Sequence, residues 1–268
     1  MLIDFHTHAF PDKLSERALG TLAAKVRMTP HTDGTVCGLI RQMERCGVDR
    51  SVVCNIATNA KQMTNVNNFA IDILRTHDDC LVPLGSINPH ATQKSEELER
   101  LKKAEIRGIK LHPDYMGVNI DDATFDEIFD TSAMLGMFVV IHAGFDVYST
   151  NKVWATPDAI LNRLSRSPNT TLICAHFGGN MMWAEVEEKL LGKDLYIDTS
   201  MGSVEGLSRE RAARMLNKHD SRRILFGSDC PWSDPRETFE YIDSLAISDE
   251  LKENIFYGNA EVLIGEKR

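Results

Sequence analysis

No hydrophobic run in the sequence approaches the roughly 20 residues that a membrane-spanning helix needs. The N-terminus also lacks a basic segment followed by an apolar stretch, so we expect no secretory leader and no membrane partner. Positive charge is scarce: 30 Lys and Arg stand against 39 Asp and Glu, a net charge of −9, which argues against binding to nucleic acid. The six cysteines form no Cys-x-x-Cys pair, which is typical of reduced thiols in a cytoplasmic protein.

Signatures of several other enzyme classes are missing as well. The first apolar run is followed by HTHAFP, where a dinucleotide-binding fold would carry a glycine-rich turn. There is no Gly-x-Ser-x-Gly elbow of a serine hydrolase, and no linker or low-complexity tract divides the chain. With 268 residues, 43% of them hydrophobic, the chain can form one complete core, so we predict a single domain over residues 1–268.

Short apolar runs alternate with helical patterns along the chain. The candidate strands are 2–5, 51–56, 81–87, 107–111, 137–141, 170–175, 194–199 and 223–228. The candidate helices are 36–47, 65–76, 95–105, 122–136, 156–166, 184–192, 208–219 and 236–245. Strand–helix units in strict alternation pair in parallel, and eight of them predict an α/β fold of the (β/α)8 TIM barrel type. The one long insertion, residues 9–34 after the first strand, is interpreted as an active-site loop.

Histidines cluster at the ends of the candidate strands, which in a (β/α)8 barrel form the face that carries the active site. His6 and His8 end the first strand and, being two residues apart, can point to the same side. His142 ends the fifth strand, and Asp229 ends the eighth, which neighbours the first in a closed barrel. Three nitrogens and one carboxylate suit Zn²⁺, although Mn²⁺ or Fe²⁺ also fits. We therefore predict a divalent metal bound by these four residues.

Asp229 and His176 are the candidates for proton transfer. Asp229 would accept a proton from an activated water, although its place before the turn CPW also suits a helix cap. His176, in CAHFGG after the sixth strand, is placed to hydrogen-bond a substrate oxygen or a bound water. Neutral imidazole can move a proton near pH 7. A barrel that only bound metal would not need such a group, so we predict an enzyme.

Taken together, these positions resemble the amidohydrolase superfamily. The segments IDFHTHAFP, GIKLHP, IHAG, AHFGG and FGSDCPW are similar to its amidohydrolase-related branch, which includes aminocarboxymuconate-semialdehyde decarboxylase, resorcylate-type decarboxylases and lactone hydrolases. The resemblance covers the chain from residue 2 to about residue 260. It implies His6, His8, His142 and Asp229 as metal ligands and His176 as the acid/base or polarising residue.

Lys110 leaves the number of metal ions open. In binuclear members of the superfamily, a carboxylated lysine after the fourth strand bridges two ions, and the histidines of the fifth and sixth strands bind the second. Lys110 in GIKLHP lies near that place, so His142 and His176 could hold a second ion. The decarboxylase-type branch usually holds one ion, and a lysine here could also be a buried electrostatic contributor.

Two reactions fit this set of residues. One is hydrolysis of a small amide or lactone by metal-activated water. The other is non-oxidative decarboxylation of a small aromatic or muconate-like acid, which needs a partner for the carboxylate, preferably Arg. No Arg directly follows a candidate strand; Lys25 and Arg27 in the insertion are nearest, and a second subunit of a homodimer could supply one. We predict a hydrolase of a small-molecule substrate, with decarboxylation as the alternative.

Overall fold

The computed structural model describes residues 1–26, 28–147, 149 and 152–265. In this part of the chain eight strands occur, and each overlaps a predicted one. They are β1 (Ile3–Thr7), β2 (Arg50–Cys54), β3 (Leu81–Leu84), β4 (Gly108–Leu111), β5 (Phe138–Ile141), β6 (Leu172–Cys174), β7 (Tyr196–Asp198) and β8 (Ile224–Leu225).

The strands form a closed ring. Neighbours pair in parallel in the orders β1-β2-β3 and β4-β5-β6-β7-β8. Backbone hydrogen bonds join the two groups at both edges: Gly85 after β3 donates to Gly108 of β4 at 3.1 Å, and Phe5 of β1 donates to Phe226 after β8 at 2.7 Å. The predicted (β/α)8 barrel is confirmed.

Helices follow the strands in alternation. They are α1 (Asp12–Val26), α2 (Val36–Cys46), α3 (Met63–His77), α4 (Lys94–Lys103), α5 (Pro113–Met116), α6 (Asp126–Met134), α7 (Pro157–Arg166), α8 (Trp183–Lys189), α9 (Arg209–Lys218), α10 (Pro235–Asp243), α11 (Asp249–Glu253) and α12 (Asn259–Ile264). The eight predicted helices correspond to α2, α3, α4, α6, α7, α8, α9 and α10. None of the helices in the described ranges is long and apolar enough to cross a membrane.

The insertion over residues 9–34 differs from its interpretation as a loop, because α1 occupies 15 of its residues. Ala, Leu, Lys and Glu, all strong helix formers, dominate its sequence DKLSERALGTLAAKV. Leu19 is the one hydrophobic residue of α1 that is buried among the side chains described there. Helix propensity rather than a broad apolar face therefore accounts for α1, and a search for amphipathic periodicity misses it.

The barrel interior below the strand ends is filled with hydrophobic side chains. They come from alternate strand positions: Ile3, Phe5, Val52, Cys54, Val82, Leu84, Phe138, Val140, Ile173 and Leu225. Ala260 and Ile264 of α12 pack against this group, so the C-terminal helix covers the lower end of the barrel. The C-terminal strand ends are left as the face where polar side chains can meet a ligand.

A bulge in β1 directs the first two histidines into the barrel. β1 advances three residues, from 4 to 7, where its partner β2 advances two, from 51 to 53. Such a bulge reverses the alternation of side chains from that point onward. Phe5 belongs to the interior group, and His6, although it is the next residue, also points inward. His8 then lies on the same side, as the i, i+2 spacing predicts.

Candidate metal centre

His6, His8 and Asp229 meet at the C-terminal end of the barrel. Nε2 of His8 lies 2.9 Å from Oδ1 of Asp229, and Nε2 of His6 lies 3.5 Å from the same oxygen. A left-handed backbone conformation at Asp229 (φ 71°) turns the chain here, directly after the eighth strand. The structure therefore brings together three of the four predicted metal ligands, with their ligand atoms within 4.8 Å of one another.

The hydrogen bonds of His8 fit a bound cation. Its Nδ1 lies 2.9 Å from the carbonyl oxygen of Cys54, which can only accept, so Nδ1 carries the ring hydrogen. In the neutral ring, Nε2 then presents a lone pair to Oδ1 of Asp229, and a carboxylate has no hydrogen to donate. Two electron-rich atoms 2.9 Å apart need a positive charge between them, which either a proton on Nε2 or a bound cation would supply. A histidine held through its other nitrogen by a carbonyl is the usual arrangement of a metal ligand.

His142 lies apart from this trio. Its Nδ1 is 2.9 Å from Nε2 of His176, so the side chains that follow β5 and β6 form a pair. Among the described residues, no set of three candidate ligand atoms that all lie within 4.8 Å of one another includes both His142 and any of His6, His8 and Asp229. The predicted fourth ligand is thus placed beside the predicted catalytic histidine.

Lys110 of β4 adjoins the histidines of both groups. It is 1% exposed, and its Nζ lies 3.1 Å from Nε2 of His6. Its positive charge acts on His142 and His176 as well, where it lowers the pKa of each ring. The structure places Lys110 against His6, and its role beside a second ion stays a prediction.

His112 and Asp146 form a further group with His142. Oδ2 of Asp146 lies 3.3 Å from Nε2 of His112 and 3.7 Å from Nε2 of His142. The two rings are stacked, with centroids 4.3 Å apart and planes inclined by 11°. The lone pair of an imidazole nitrogen lies in the ring plane, so two stacked rings do not aim at one ion. We therefore interpret Asp146 as an acceptor for the ring N–H of His112, whereas Nε2 of His142, at 3.7 Å, makes no hydrogen bond with it.

Burial keeps the rings of His6, His142 and His176 neutral. Loss of contact with water lowers the pKa of His6, His142 and His176 well below the ordinary 6.5. The next cause is the charge of Lys110 at His6, of His112 at His142 and of His142 at His176. Neutral imidazole is the form that binds a metal ion, so these rings are ready for one without losing a proton.

Asp198, at the end of β7, is a site residue that the sequence reasoning missed. It is fully buried, and its Oδ2 lies 2.8 Å from Nδ1 of His6. Ser200, two residues later, has its Oγ 2.7 Å from Nδ1 of His176. The segment DLYIDT was predicted as a strand, and the rule that strand ends carry the site would have identified Asp198.

The structure also bears on the helix-cap alternative for Asp229 and on the cations considered for a substrate carboxylate. Asp229 does not cap a helix: α10 begins at Pro235, and the side chain of Asp234 accepts its capping bond from the Arg236 N–H. Of the cations considered for a substrate carboxylate, Lys25 is exposed on α1, and Arg27 lies outside the described residues.

The family model for amidohydrolases of the Amidohydro_2 type matches residues 3–265. No curated protein matches the chain. Among solved structures, a TIM-barrel protein from Bordetella bronchiseptica is 20% identical, with a TM-score of 0.78 and 98% of both chains covered. A manganese-bound 5-carboxyvanillate decarboxylase from Novosphingobium aromaticivorans is 13% identical, with a TM-score of 0.73 and coverage of 99% and 97%. A 2,6-dihydroxybenzoate decarboxylase from Rhizobium is 12% identical, with a TM-score of 0.73 and 98% of both chains covered.

Proposed function

Because the chain belongs to the amidohydrolase family, with a match over residues 3–265, we propose that it is a metal-dependent hydrolase of a small carbonyl compound such as an amide or a lactone. The observation that carries the proposal is the convergence of Nε2 of His8 and Nε2 of His6 on Oδ1 of Asp229, at 2.9 Å and 3.5 Å. A hydrolase of this kind needs a cation and a proton acceptor at one place. Asp229 contributes to both.

We assign one ion to His6, His8 and Asp229. We assign a second to His142 and His176, whose facing nitrogens are 2.9 Å apart, while Lys110 lies against His6 of the first set. This arrangement is the two-ion alternative given by the sequence. In the one-ion arrangement, His142 would be the fourth ligand beside His6, His8 and Asp229. Histidine nitrogens and one carboxylate favour Zn²⁺, and Mn²⁺ also suits the set.

A bound divalent ion would lower the pKa of a water molecule and polarise a carbonyl oxygen. Asp229 accepts the proton that the water loses, because its carboxylate lies at the mouth and is still partly open to solvent, with 11% of the side chain exposed. His8 lies beside the carboxylate at the end of β1, so both groups would bind the same ion. The hydrophobic side chains below the site exclude bulk water from the other end of the barrel.

Decarboxylation is the second candidate, because two of the structural neighbours are named as decarboxylases of aromatic acids. Lys110 provides a cation inside the barrel mouth, and within the described ranges it forms no ion pair with a carboxylate. A substrate carboxylate could therefore take that place.

Turnover by the same protein on two substrate panels separates these reactions. Metal-free and metal-reconstituted protein would be incubated with simple lactones and amides, followed by acid release, and with hydroxybenzoates, followed by CO₂ release. We expect metal-dependent acid release without CO₂. CO₂ release from the aromatic acids would show that the protein is a decarboxylase and not a hydrolase. Turnover that survives complete removal of metal would overturn both metal-dependent reactions.

His6→Ala and His8→Ala should each lose bound metal, at least about 10-fold in affinity, while the barrel remains folded, because both rings lie at the mouth above the hydrophobic interior. His90→Ala is the matched control, since His90 follows β3 but its side chain is exposed. Elemental analysis and thermal unfolding of the three variants measure the two effects. Full metal content in both site variants would contradict the assignment.

A further inference from the structure

We propose that Asp198 is a positioning residue that sets the tautomers of two site histidines, His6 directly and His176 through Ser200. The inference rests on the metal site of the proposed function and adds the group that aims its ligands. It concerns which ring nitrogen carries hydrogen, a property that can be measured without metal or substrate.

Asp198 acts only as an acceptor. Its Oδ1 accepts the backbone N–H groups of His176 at 2.9 Å and of Ser200 at 3.0 Å. Backbone N–H groups can only donate, so this oxygen carries no hydrogen of its own. The hydroxyl of Ser200 also lies against Oδ1 and donates to it. The hydrogen of that hydroxyl is therefore committed to the carboxylate.

His6 is fixed by the other oxygen. Its Nδ1 lies 2.8 Å from Oδ2 of Asp198, which accepts, so the ring hydrogen is on Nδ1. The lone pair is then on Nε2, the atom 3.5 Å from Oδ1 of Asp229. The ammonium group of Lys110 lies 3.1 Å from Nε2 and donates to that lone pair, so Asp198 and Lys110 hold the ring in the same tautomer from its two sides.

His176 is fixed one step further away. Because the Ser200 hydroxyl donates to Asp198, its oxygen accepts from Nδ1 of His176 at 2.7 Å. The lone pair of His176 is thus on Nε2, which faces His142 at 2.9 Å. One buried carboxylate therefore aims a lone pair into each of the two assigned ion sites, and it couples their geometry.

The tautomers can be measured by long-range proton–nitrogen NMR in metal-free protein labelled with ¹⁵N-histidine. The signals of each ring are assigned from their disappearance in His6→Gln or His176→Gln. We expect hydrogen on Nδ1 of both rings. In Asp198→Asn the amide N–H₂ can face Nδ1 of His6 while Lys110 still donates to Nε2, so we expect the ring to leave the single Nδ1–H tautomer for a mixture. Ser200→Ala should leave His6 unchanged and release the His176 ring into a mixture of tautomers.

Asp4→Asn is the matched control. Asp4 is equally buried and accepts from the backbone N–H of His6 and from Ser228, but it touches no imidazole nitrogen. It should leave both tautomers as they are. Hydrogen on Nε2 of His6 in the wild type, or unchanged tautomers in both Asp198→Asn and Ser200→Ala, would overturn the inference.

A zinc titration gives an independent readout. Loss of the group that holds a ligand histidine typically weakens metal binding 10- to 100-fold, so we expect about that loss in Asp198→Asn and wild-type affinity in Asp4→Asn. If Asp198→Asn fails to fold, Ser200→Ala alone decides through the His176 signal. Correct tautomers in a protein without hydrolytic turnover would refute the proposed function and leave the positioning role standing.

Discussion

Asp229→Asn is expected to lower turnover at least about 100-fold while the protein keeps its fold and part of its metal. Asparagine preserves the shape and one oxygen, so the residue can still lie beside His6 and His8. It loses the negative charge that balances the cation and the site that accepts a proton. Turnover and metal content of the purified variant, measured side by side, test this expectation.

Asp234→Asn is the control for that experiment. Asp234 caps α10 five residues further along, and asparagine caps a helix as well as aspartate does. This variant should have wild-type turnover and metal content. If Asp229→Asn behaved in the same way, Asp229 would be neither ligand nor base, and the site proposed here would be wrong.

His176→Asn is expected to reduce the bound metal from two ions to one and to lower turnover by about 10²–10⁴. The reason is the pairing of its Nε2 with Nδ1 of His142, which would leave His142 without a partner ligand. Elemental analysis per folded chain is the measurement. If the variant keeps all its metal but shows the same loss of turnover, His176 is an acid/base group at a site with a single ion.

Two further variants make this comparison sharp. His219→Asn replaces another buried histidine, one whose ring is bonded to the Gly192 N–H and the Leu195 carbonyl away from the mouth, and it should keep both ions. Lys110→Ala should lose metal as His176→Asn does if a carboxylated lysine joins the two ions. Added short-chain carboxylates should then restore part of the activity.

The sequence was sufficient to predict the barrel because its signals are local. Short apolar runs and helical periodicity repeat eight times, and each unit needs only its neighbours to be recognised. Strand ends were also predictable to within a few residues, which placed His6, His8, His142, His176 and Asp229 on the correct face. In a (β/α)8 barrel all strands end at the same face, so residues at strand ends lie near one another in space.

The pairing among those residues could not be read from the sequence. Whether His142 lies beside His6 or beside His176 depends on ring orientation, which the spacing of strands does not determine. The bulge in β1 depends on how β1 aligns with β2, and it has no residue signature in DFHTH. Asp198 was overlooked although it ends a predicted strand, because its importance comes from its partners, the His6 ring and the backbone N–H of His176, which lie 192 and 22 positions away along the chain.

The junction between β1 and the end of β8 has a consequence for how the chain folds. His8 and Asp229 are 221 positions apart, so almost the whole polypeptide must be ordered before they can meet. Bringing together the ends of a flexible loop of that length costs about 5 kcal/mol in chain entropy. Three backbone hydrogen bonds offset part of that cost: the N–H of Phe5 donates to Phe226, that of His8 to Cys230 and that of Asp229 to His6. An ion shared by His8 and Asp229 would add to them as a cross-link does. Ion binding would then strengthen the closure of the barrel, and we expect the metal-free barrel to stay folded but to open first at this junction, at a lower temperature than the metal-bound protein.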